Sequence, residues 1–442
     1  MPHFRHFPFR ALLTAALLCV PLLLCVPLLL PAQQRSLVRV LGADQLVGRS
    51  EGDMEMRELI GNVRLQQDNV FITCDRAVQN MTRNVVELIG SVVVRQDTLT
   101  LKTDRGHYNG ENGVASSRQG IYINDGHVTL TARRGTYATE SKVAEFLSDV
   151  TIDDTAATIT SRRMHYLRDS ALVIAWDSVH IRFKGENVRI VADSVRHYPD
   201  DQVSEFFHDP VLWQIDTTFV RRTVRGEIDS LALDTLNIAA DYMKALRDTS
   251  NVFLTRGNVR IVRAELAARA ATALFLRSDS LIHLTGDPVL WYGENQITGD
   301  SITALLADNK LRQLDVEGNA FSISRSKPAE ADTLYPPDRF DQTSGKRIRM
   351  LFADSKPERI RVEQTAISLY YLYEEGALNG VRRESSDLII ISFDDGTVNE
   401  IRSIKGVEGT YYPEKYVNGK ESSYNLDGFT WIDERPLMLP PP

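Results

Sequence analysis

Cysteine is scarce in this sequence, which has three cysteines in 442 residues. Two of them, Cys19 and Cys25, lie in an apolar segment at the N-terminus. Only Cys74 remains beyond that segment, so no disulfide within the mature chain is predicted. Small secreted domains usually depend on disulfides, and an exported chain without them fits a bacterial envelope better.

Excess positive charge is also missing, since 59 acidic residues outweigh 51 basic ones and the formal net charge is -8. This balance argues against a protein that binds nucleic acid. The sequence contains no nucleophile elbow, phosphate loop, dinucleotide fingerprint or cysteine metal motif. We therefore predict that the protein is not an enzyme and has no cofactor and no metal site.

Three histidines and several acidic pairs are the remaining candidates for chemistry. His107, His165 and His197 each precede a tyrosine of the repeat described below, and we expect them to be exposed rather than to form a metal column. The pairs Asp153-Asp154 and Asp200-Asp201 fall at predicted turns, where aspartate is favoured by local hydrogen bonding. Neither group predicts catalysis.

Long hydrophobic runs are absent beyond Ala32. Arg5 and Arg10 precede an apolar run from Ala11 to Leu30, a pattern that predicts a secretory signal peptide over residues 1–32. The run is long enough to span a bilayer, so an uncleaved N-terminal anchor stays an alternative. Either way, the sequence predicts a periplasmic location.

Helical periodicity is nearly absent, and a 29-residue repeat takes its place. One apolar position recurs at four equal intervals, at Val63, Val92, Ile121, Val150 and Val179. A tyrosine recurs with the same period at Tyr108, Tyr137 and Tyr166, and then slightly later than the period predicts, at Tyr198. Only residues 262–276 leave a choice between helix and strand. A repeat of this length governs the whole architecture.

Each repeat unit alternates apolar and polar residues with a period of two, as in NVRLQ at 62–66 and TLTLK at 98–102. This alternation predicts two short strands per unit with one buried and one wet face. The predicted fold class is all-β: an elongated, twisted β-jellyroll or solenoid of stacked antiparallel strands. Its two ends would expose unpaired strand edges, which suggests head-to-tail addition of neighbouring jellyrolls. Residues 37–43 are the candidate docking edge, and an ordinary first strand capped by its own N-terminal residues is the alternative.

The predicted domain organisation follows the repeat and its interruptions. Repeats occupy 37–325, a polar and Pro-rich linker 326–346, further β-units 347–412, and an irregular tail, wrapped or partly disordered, 413–442.

Several motifs carry a resemblance to a known family. They are GNVRL at 61–65 with NVFITCDRA at 69–77, GSVVV at 90–94 with TLTLKTDRGHY at 98–108, and GDPVLWY at 286–292 with NQITGDS at 295–301. These segments resemble the OstA-like family of periplasmic lipopolysaccharide-transport proteins, over about residues 38–325. GFTWIDERP at 428–436 resembles the ending of the long Bacteroidetes-type versions.

The resemblance implies a bridge that shields lipopolysaccharide acyl chains inside the jellyroll and conducts them from the inner to the outer membrane. It implies as partners lipopolysaccharide and other transport jellyrolls of the two membranes, and the unpaired end strands add head-to-tail self-association as a further possibility. The residues expected to face the lipid groove are Val63, Ile72, Val92, Leu101, Ile121, Leu130, Val150, Ile159, Val179, Ile190, Val259 and Val289.

Two other interpretations remain open on the residues alone. The same pattern suits an exported β-solenoid scaffold or adhesin whose interior is a filled core without lipid. A β-helical enzyme acting on polysaccharide is the third interpretation, with Trp176, Trp213 and Trp291 as its candidate sugar platform. For these tryptophans, packing beneath loops is the expectation that we favour.

Overall fold

The computed structural model describes residues 36–52, 54–222, 228–247, 251–307, 310–326, 338–353, 356–394 and 397–441. The predicted signal peptide at 1–32 lies outside these residues. Nearly all of the described chain is β-strand, so the predicted all-β fold class is confirmed. In the part of the chain that is described, no helix combines the length and the apolar character needed to cross a membrane.

Thirty strands are described, and all of their pairings are antiparallel. The first fifteen are β1 (Arg39–Gly42), β2 (Gln45–Glu51), β3 (Met54–Gln67), β4 (Val70–Asn80), β5 (Val85–Gln96), β6 (Leu99–Asn109), β7 (Val114–Ser117), β8 (Ile121–Asn124), β9 (Thr129–Ala132), β10 (Arg134–Ala138), β11 (Val143–Asp153), β12 (Ala157–Leu167), β13 (Leu172–Phe183), β14 (Val188–Tyr198) and β15 (Val203–Phe207).

The remaining strands are β16 (Val211–Arg222), β17 (Ile228–Ala239), β18 (Tyr242–Leu246), β19 (Val252–Arg263), β20 (Leu266–Leu276), β21 (Leu281–Thr285), β22 (Val289–Tyr292), β23 (Asn295–Thr298), β24 (Ser301–Ala307), β25 (Lys310–Arg325), β26 (Phe340–Ala353), β27 (Lys356–Glu374), β28 (Ala377–Asp394), β29 (Thr397–Ile404) and β30 (Glu408–Pro413). The ambiguous segment 262–276 contains strand β20, not a helix. One helix, α1 (Glu414–Val417), and two 3₁₀ turns, Arg168–Ser170 and Glu421–Tyr424, complete the described secondary structure.

A repeated kink bends the long strands in the middle. In β3 the kink is Gly61-Asn62 and in β5 it is Gly90-Ser91, with two successive residues at positive φ in each case. The strand pairing shifts at these same points, as between Ile60 and Val63. Two left-handed residues in a row turn the chain sharply, and glycine adopts this conformation without a steric penalty. We call the resulting row of bends the corner.

The corner divides the long strands between two layers of β-structure. In β3, Arg64–Gln66 pair with β1, whereas Met54–Ile60 pair with β2. We call the layer that contains Val63–Gln67 layer one and the layer that contains Met54–Ile60 layer two. Neighbouring strands repeat the division, so the chain zigzags between the layers from one rung to the next.

The main hydrophobic core lies between the two layers and runs through the described stack from Val38 to Ile391. It combines inner residues of layer one, such as Leu65, with inner residues of layer two, such as Leu59 and Leu88. The alternation of buried and exposed residues along β4, β5 and β6 is that of strands with one wet face. The core therefore continues across residue 325, where the sequence predicts that the repeats end.

The range predicted for the linker extends too far at its C-terminal end. Residues 326–346 were expected to be linker, but β26 begins at Phe340 and pairs with β25. Phe340 and Gln342 are buried, because the alternating pattern of a strand resumes directly after the Pro-rich residues. Residues 327–337 lie outside the described residues, and the other domain limits stay predictions.

Candidate functional site

The interior between the layers holds eleven of the twelve residues predicted to face a groove. Each belongs to the main core and none is more than 4% exposed. They are Val63, Ile72, Val92, Leu101, Ile121, Leu130, Val150, Ile159, Val179, Ile190 and Val259. The repeat phase therefore predicted their inward direction, and the structure shows these side chains buried against one another in the core.

Val289, the twelfth residue, does not face the interior, so its predicted direction is wrong. It packs with Ala267 and Trp291 in a separate cluster, while its strand neighbour Leu290 belongs to the main core. The sequence alignment of GDPVL with GNVRI is one residue out of phase, since Pro288 occupies the position that Val259 has in the other motif. Because successive side chains point to opposite faces of a strand, this shift moves Val289 to the outer face of layer one.

A row of buried polar contacts closes the edge of the two layers opposite the corner. The Tyr108 hydroxyl donates to Oε1 of Gln67 at 2.7 Å, and the Tyr137 hydroxyl donates to Oε1 of Gln96 at 2.8 Å. In the next rung the Tyr166 hydroxyl donates to Asp125. In each case the acceptor is the last residue of a strand segment in layer one or the residue directly after it, and the tyrosine belongs to a strand segment in layer two. Each contact therefore joins the two layers. We call these contacts latches and this edge the mouth.

The latches are built by the same repeat as the core. The acceptors Gln67, Gln96 and Asp125 are spaced 29 residues apart, as the repeat requires. Each tyrosine lies 41 residues after its acceptor in the sequence. Burial raises the pKa of Tyr137, and burial together with Asp125 raises the pKa of Tyr166. The hydroxyls of Tyr137 and Tyr166 therefore stay protonated at neutral pH and can donate these hydrogen bonds. A buried donor without its acceptor would be costly, which makes the pairing specific.

His197 forms the fourth latch, and its predicted exposure is wrong. Its Nε2 lies 2.6 Å from Oδ2 of Asp154, its Nδ1 lies 2.8 Å from Oγ of Ser204, and the residue is 2% exposed. The repeat is two residues longer here, and His197 lies 31 residues after Tyr166 instead of the usual 29. Tyr198 comes one position later, so it lies on the other face of the strand and His197 takes the inner position.

The two other histidines of the repeat do not join the row. His107 is exposed, as predicted, whereas His165 is half-buried. His165 lies within 3.7 Å of Glu145 across the strand pair of β11 and β12. Neither side chain reaches the mouth, because both lie on the outer face of layer two.

The carboxylate of Asp154 is held in its ionised form. Burial alone would raise the pKa of Asp154, but hydrogen bonds from His197 and from the backbone amides of Ala156 and Ala157 outweigh burial and lower it. The contact between Asp154 and His197 therefore joins the layers through a charged acceptor, which strengthens a hydrogen bond.

A fifth latch is a charged cluster around Glu186. This carboxylate binds Arg247 at 2.8 Å and Arg277 at 2.5 Å. All three side chains are less than one-fifth exposed, so the cluster is largely sheltered, but it is more exposed than the four latches before it. The five latches follow one another along the mouth, from Gln67 in layer one to Arg277 in layer two.

The C-terminal tail covers the outer face of layer one in the second half of the stack. It crosses the strands instead of pairing with them, so side chains bind its backbone. Gln342 accepts from the amide of Leu426, Gln296 accepts from the amide of Ile432, and Asn237 accepts from the amide of Leu439. Beneath it lie Trp291 and Trp213, whose indoles donate to the carbonyls of Ile432 and Leu439.

The buried tryptophans thus serve packing beneath the tail. Trp291 is fully buried and Trp213 is 5% exposed, which leaves neither available as a platform for sugar stacking. Trp176 is half-buried and stacks edge-on against His165. In the described ranges, no group of three or more His, Cys, Asp or Glu residues lies close enough to hold a metal ion.

Cys74 is buried in the main core beside the corner. Burial raises the pKa of its thiol to about 11. A thiol of this kind is a weak nucleophile, because only the thiolate reacts readily. The structure therefore gives this cysteine a packing position.

The two ends of the stack carry free strand edges and exposed apolar side chains. At the N-terminal end β1 and β2 each pair only with β3, and at the C-terminal end β29 and β30 each pair only with β28 among the described strands. The exposed apolar residues at the two ends include Leu37, Leu41, Leu46, Val47, Ile60, Val398, Val407 and Tyr411. Unpaired edges of this kind are templates for another strand.

The fold and the interior define the class: a two-layered, all-β repeat protein with a continuous apolar core. Residues 35–182 match the family model described as OstA-like protein, and this segment contains the first two groups of motifs that carry the resemblance. Among solved structures, the chain is similar to LptH of Pseudomonas aeruginosa, described as the LptA homologous periplasmic component of the conserved lipopolysaccharide transport device. That alignment has 15% identity and a TM-score of 0.25, and it covers 34% of this chain and 95% of LptH. No curated protein matches the chain.

Proposed function

We propose that this protein is a periplasmic bridge component of lipopolysaccharide transport, which shields acyl chains on their way from the inner to the outer membrane. The observation that carries the proposal is the apolar interior, which runs without interruption along the described stack from Val38 to Ile391. The OstA-like segment at 35–182 supports it, because this is the part that contains the most regular rungs.

Elementary energetics supports a conduit of this shape. Each methylene that moves from water to an apolar environment contributes ~0.8 kcal/mol, so a lipid with several acyl chains cannot cross an aqueous gap unshielded. A stack of rungs offers the same apolar lining at every height, and a lipid could move along it without a large change in free energy. The sugar headgroup would stay outside, in water.

The free edges at both ends support docking of further jellyroll units, including a second copy of this chain. Such docking would extend both layers by strand addition and join the interiors end to end. The candidate edge at 37–43 includes β1, which is four residues long and is paired on one side only among the described strands. We place the partner proteins of the two membranes at these ends.

One observation favours the alternative, an exported β-solenoid scaffold that carries no lipid. The eleven inward residues named above are almost fully buried, as in a filled core. The two functions differ in whether the layers separate to admit an acyl chain.

Photo-crosslinking at two adjacent positions of β6 tests the proposal. Leu101 points into the core and is 2% exposed, whereas Lys102 lies on the wet face. With a photoreactive amino acid at one or the other position and purified lipopolysaccharide, we expect a crosslink at 101 and none at 102. A folded protein that crosslinks at neither position would favour the scaffold.

A further inference from the structure

The mouth is the part of the stack where the two layers are joined by side chains alone. At the corner each long strand passes covalently from one layer to the other, so the layers cannot part there. At the mouth they are held by the latches: Gln67 with Tyr108, Gln96 with Tyr137, Asp125 with Tyr166, Asp154 with His197, and Glu186 with Arg247 and Arg277. Separation at the mouth would break these contacts and leave the backbone pairing within each layer intact.

The latches stand directly beside the apolar interior. Gln67 and Gln96 are the last residues of their strands and are on the same face as Leu65 and Val94, which belong to the main core. Gln67 also donates to the carbonyl of Gly110 at 2.8 Å, in the hairpin of layer two. Any chain that entered from the side would pass this row before it reached the core.

Arg168 adds an outer contact to the same edge. It lies in the hairpin turn of layer two and donates to Thr98 Oγ1 at 3.0 Å, at the hairpin of layer one. Its Nη1 lies 3.7 Å from Oδ2 of Asp97 and 3.5 Å from the hydroxyl of Tyr137. The Asp97 side chain is half exposed, so this contact faces solvent while the tyrosine latch behind it is buried.

We propose that the latch row is a lateral gate, which opens along the mouth to admit acyl chains to the interior and closes behind them. This inference rests on the proposed function, since the ligand is the same lipid. Polar latches suit a gate, because water can take over their hydrogen bonds when the layers part, whereas an apolar seam would gain nothing from solvent. The regular spacing of the latches would let the gate open rung by rung.

Removal of the hydroxyls of three latches tests the gate. The triple variant Tyr108→Phe, Tyr137→Phe, Tyr166→Phe keeps the aromatic packing and loses the donors. With lipid A that carries an environment-sensitive fluorophore on one acyl chain, we expect uptake to quicken about fivefold for each hydrogen bond removed. Tyr122→Phe is the matched control, because Tyr122 lies on the outer face of layer one beside Lys102, and its uptake should equal that of the unchanged protein.

A reversible crosslink across the mouth tests the same gate in the opposite direction. Asp97→Cys with Arg168→Cys, in a Cys74→Ala background, places two thiols on opposite layers while the buried latches stay intact. Joined by a short bis-maleimide with a cleavable disulfide, the variant should lose most of its uptake, and reduction should restore it.

The outcomes separate the gate from the proposed function. Uptake that is unchanged in the crosslinked protein would overturn the gate and leave the conduit, with the ends as the route of access. If neither the unchanged protein nor the triple variant takes up lipid while circular dichroism shows both to be folded, the proposed function fails and the gate with it. Faster uptake in the triple variant together with a block by the crosslink supports both.

Discussion

Asp341 is the clearest case of a single side chain whose environment opposes its charge. Removal from water raises the pKa of Asp341 to about 6, although the carboxylate accepts a hydrogen bond from the Tyr371 amide at 2.9 Å. A carboxyl with a raised pKa favours folding while it is protonated. Its contribution to stability is therefore present below the unfolded pKa near 4 and is lost as the pH rises through about 6.

We predict that Asp341→Asn removes this dependence on pH, because an amide keeps the shape and does not ionise. Urea unfolding at pH 4.5 and pH 7.5 should show a smaller loss of stability across this window in the variant than in the unchanged protein. Asp104→Asn is a suitable control, since Asp104 is exposed on β6. An equal pH dependence in Asp341→Asn and the unchanged protein would contradict the assignment.

The fourth latch shows, also at the residue scale, that a shift of one position along a strand decides which side chain is buried. His197 and Tyr198 are neighbours, yet His197 is buried against Asp154 and Tyr198 is not. The sequence shows a tyrosine where the repeat expects one, and the histidine before it looks like surface decoration. Only the number of residues between successive inward positions distinguishes the two side chains. At this point the repeat is two residues longer, so the inward position falls on His197.

The corner is the element on which the two-layer architecture depends. At four rungs an aspartate of the neighbouring rung packs against the kink glycine: Asp44 at Gly61, Asp75 at Gly90, Asp241 at Gly257 and Asp300 at Gly318. The residue after the glycine then donates to that carboxylate, as Ser91 does to Asp75 at 3.1 Å. The motif gives each bend the same geometry and explains why glycine, aspartate and asparagine recur there.

We predict that Gly90→Ala destabilises the protein more than Gly120→Ala does. Both glycines have positive φ, so each substitution costs about 1–2 kcal/mol of backbone strain. A Cβ at Gly90 would also overlap the carboxylate of Asp75, whereas nothing lies within 4 Å of a Cβ at Gly120. Loss of that contact adds about 1–2 kcal/mol for Gly90→Ala, measurable by chemical denaturation. Equal losses in the two variants would show that the aspartate gives way freely.

The tail is a second element with a clear physical logic. An extended segment that crosses a sheet at its outer face cannot use the strands' backbone groups, because those are already paired within the layer. Buried amide side chains replace them, since Asn237, Gln296 and Gln342 each offer an oxygen to a tail amide. Ile432 then covers the cluster of Ala267, Val289 and Trp291, which would otherwise be an apolar patch in water.

At the scale of the whole molecule, the two ends of the described stack differ from its middle in their exposed apolar residues. Leu46 on β2 is 57% exposed at the N-terminal end, and Val407 next to β30 is 53% exposed at the other. Apolar residues beside an unpaired edge favour association with another β-unit. In the middle of the stack the edges are satisfied by neighbouring strands.

We predict that Leu46→Lys weakens end-to-end association of the chain about tenfold, because a charge beside the unpaired edge of β2 must be desolvated when another unit docks there. Sedimentation velocity across a range of protein concentrations would measure the change. Leu147→Lys is the matched control, since Leu147 is 44% exposed but lies on β11 in the middle of the stack. Association that responds equally to both substitutions would contradict docking at the ends.

The sequence by itself determined the all-β class, the 29-residue period and the inward direction of eleven of the twelve chosen residues. These follow from alternation and repeat spacing, which are local properties of the chain. Val289 and His197 were misplaced because a one-residue change of phase reverses the face of a strand, and only the pairing register reveals it.

Only the tertiary structure decided which side chains join the two layers at the mouth and what covers the outer face of layer one. The latches join residues 41 or more positions apart, and the tail reaches from Leu439 back to Trp213 and Asn237. The repeat spacing marks the latch tyrosines, but no local pattern identifies their acceptors, because a glutamine at a strand end looks like an ordinary polar residue until its partner in the other layer is in place. Side-chain contacts between distant segments thus set the closed mouth and the covered outer face, while the repeat itself set the strands.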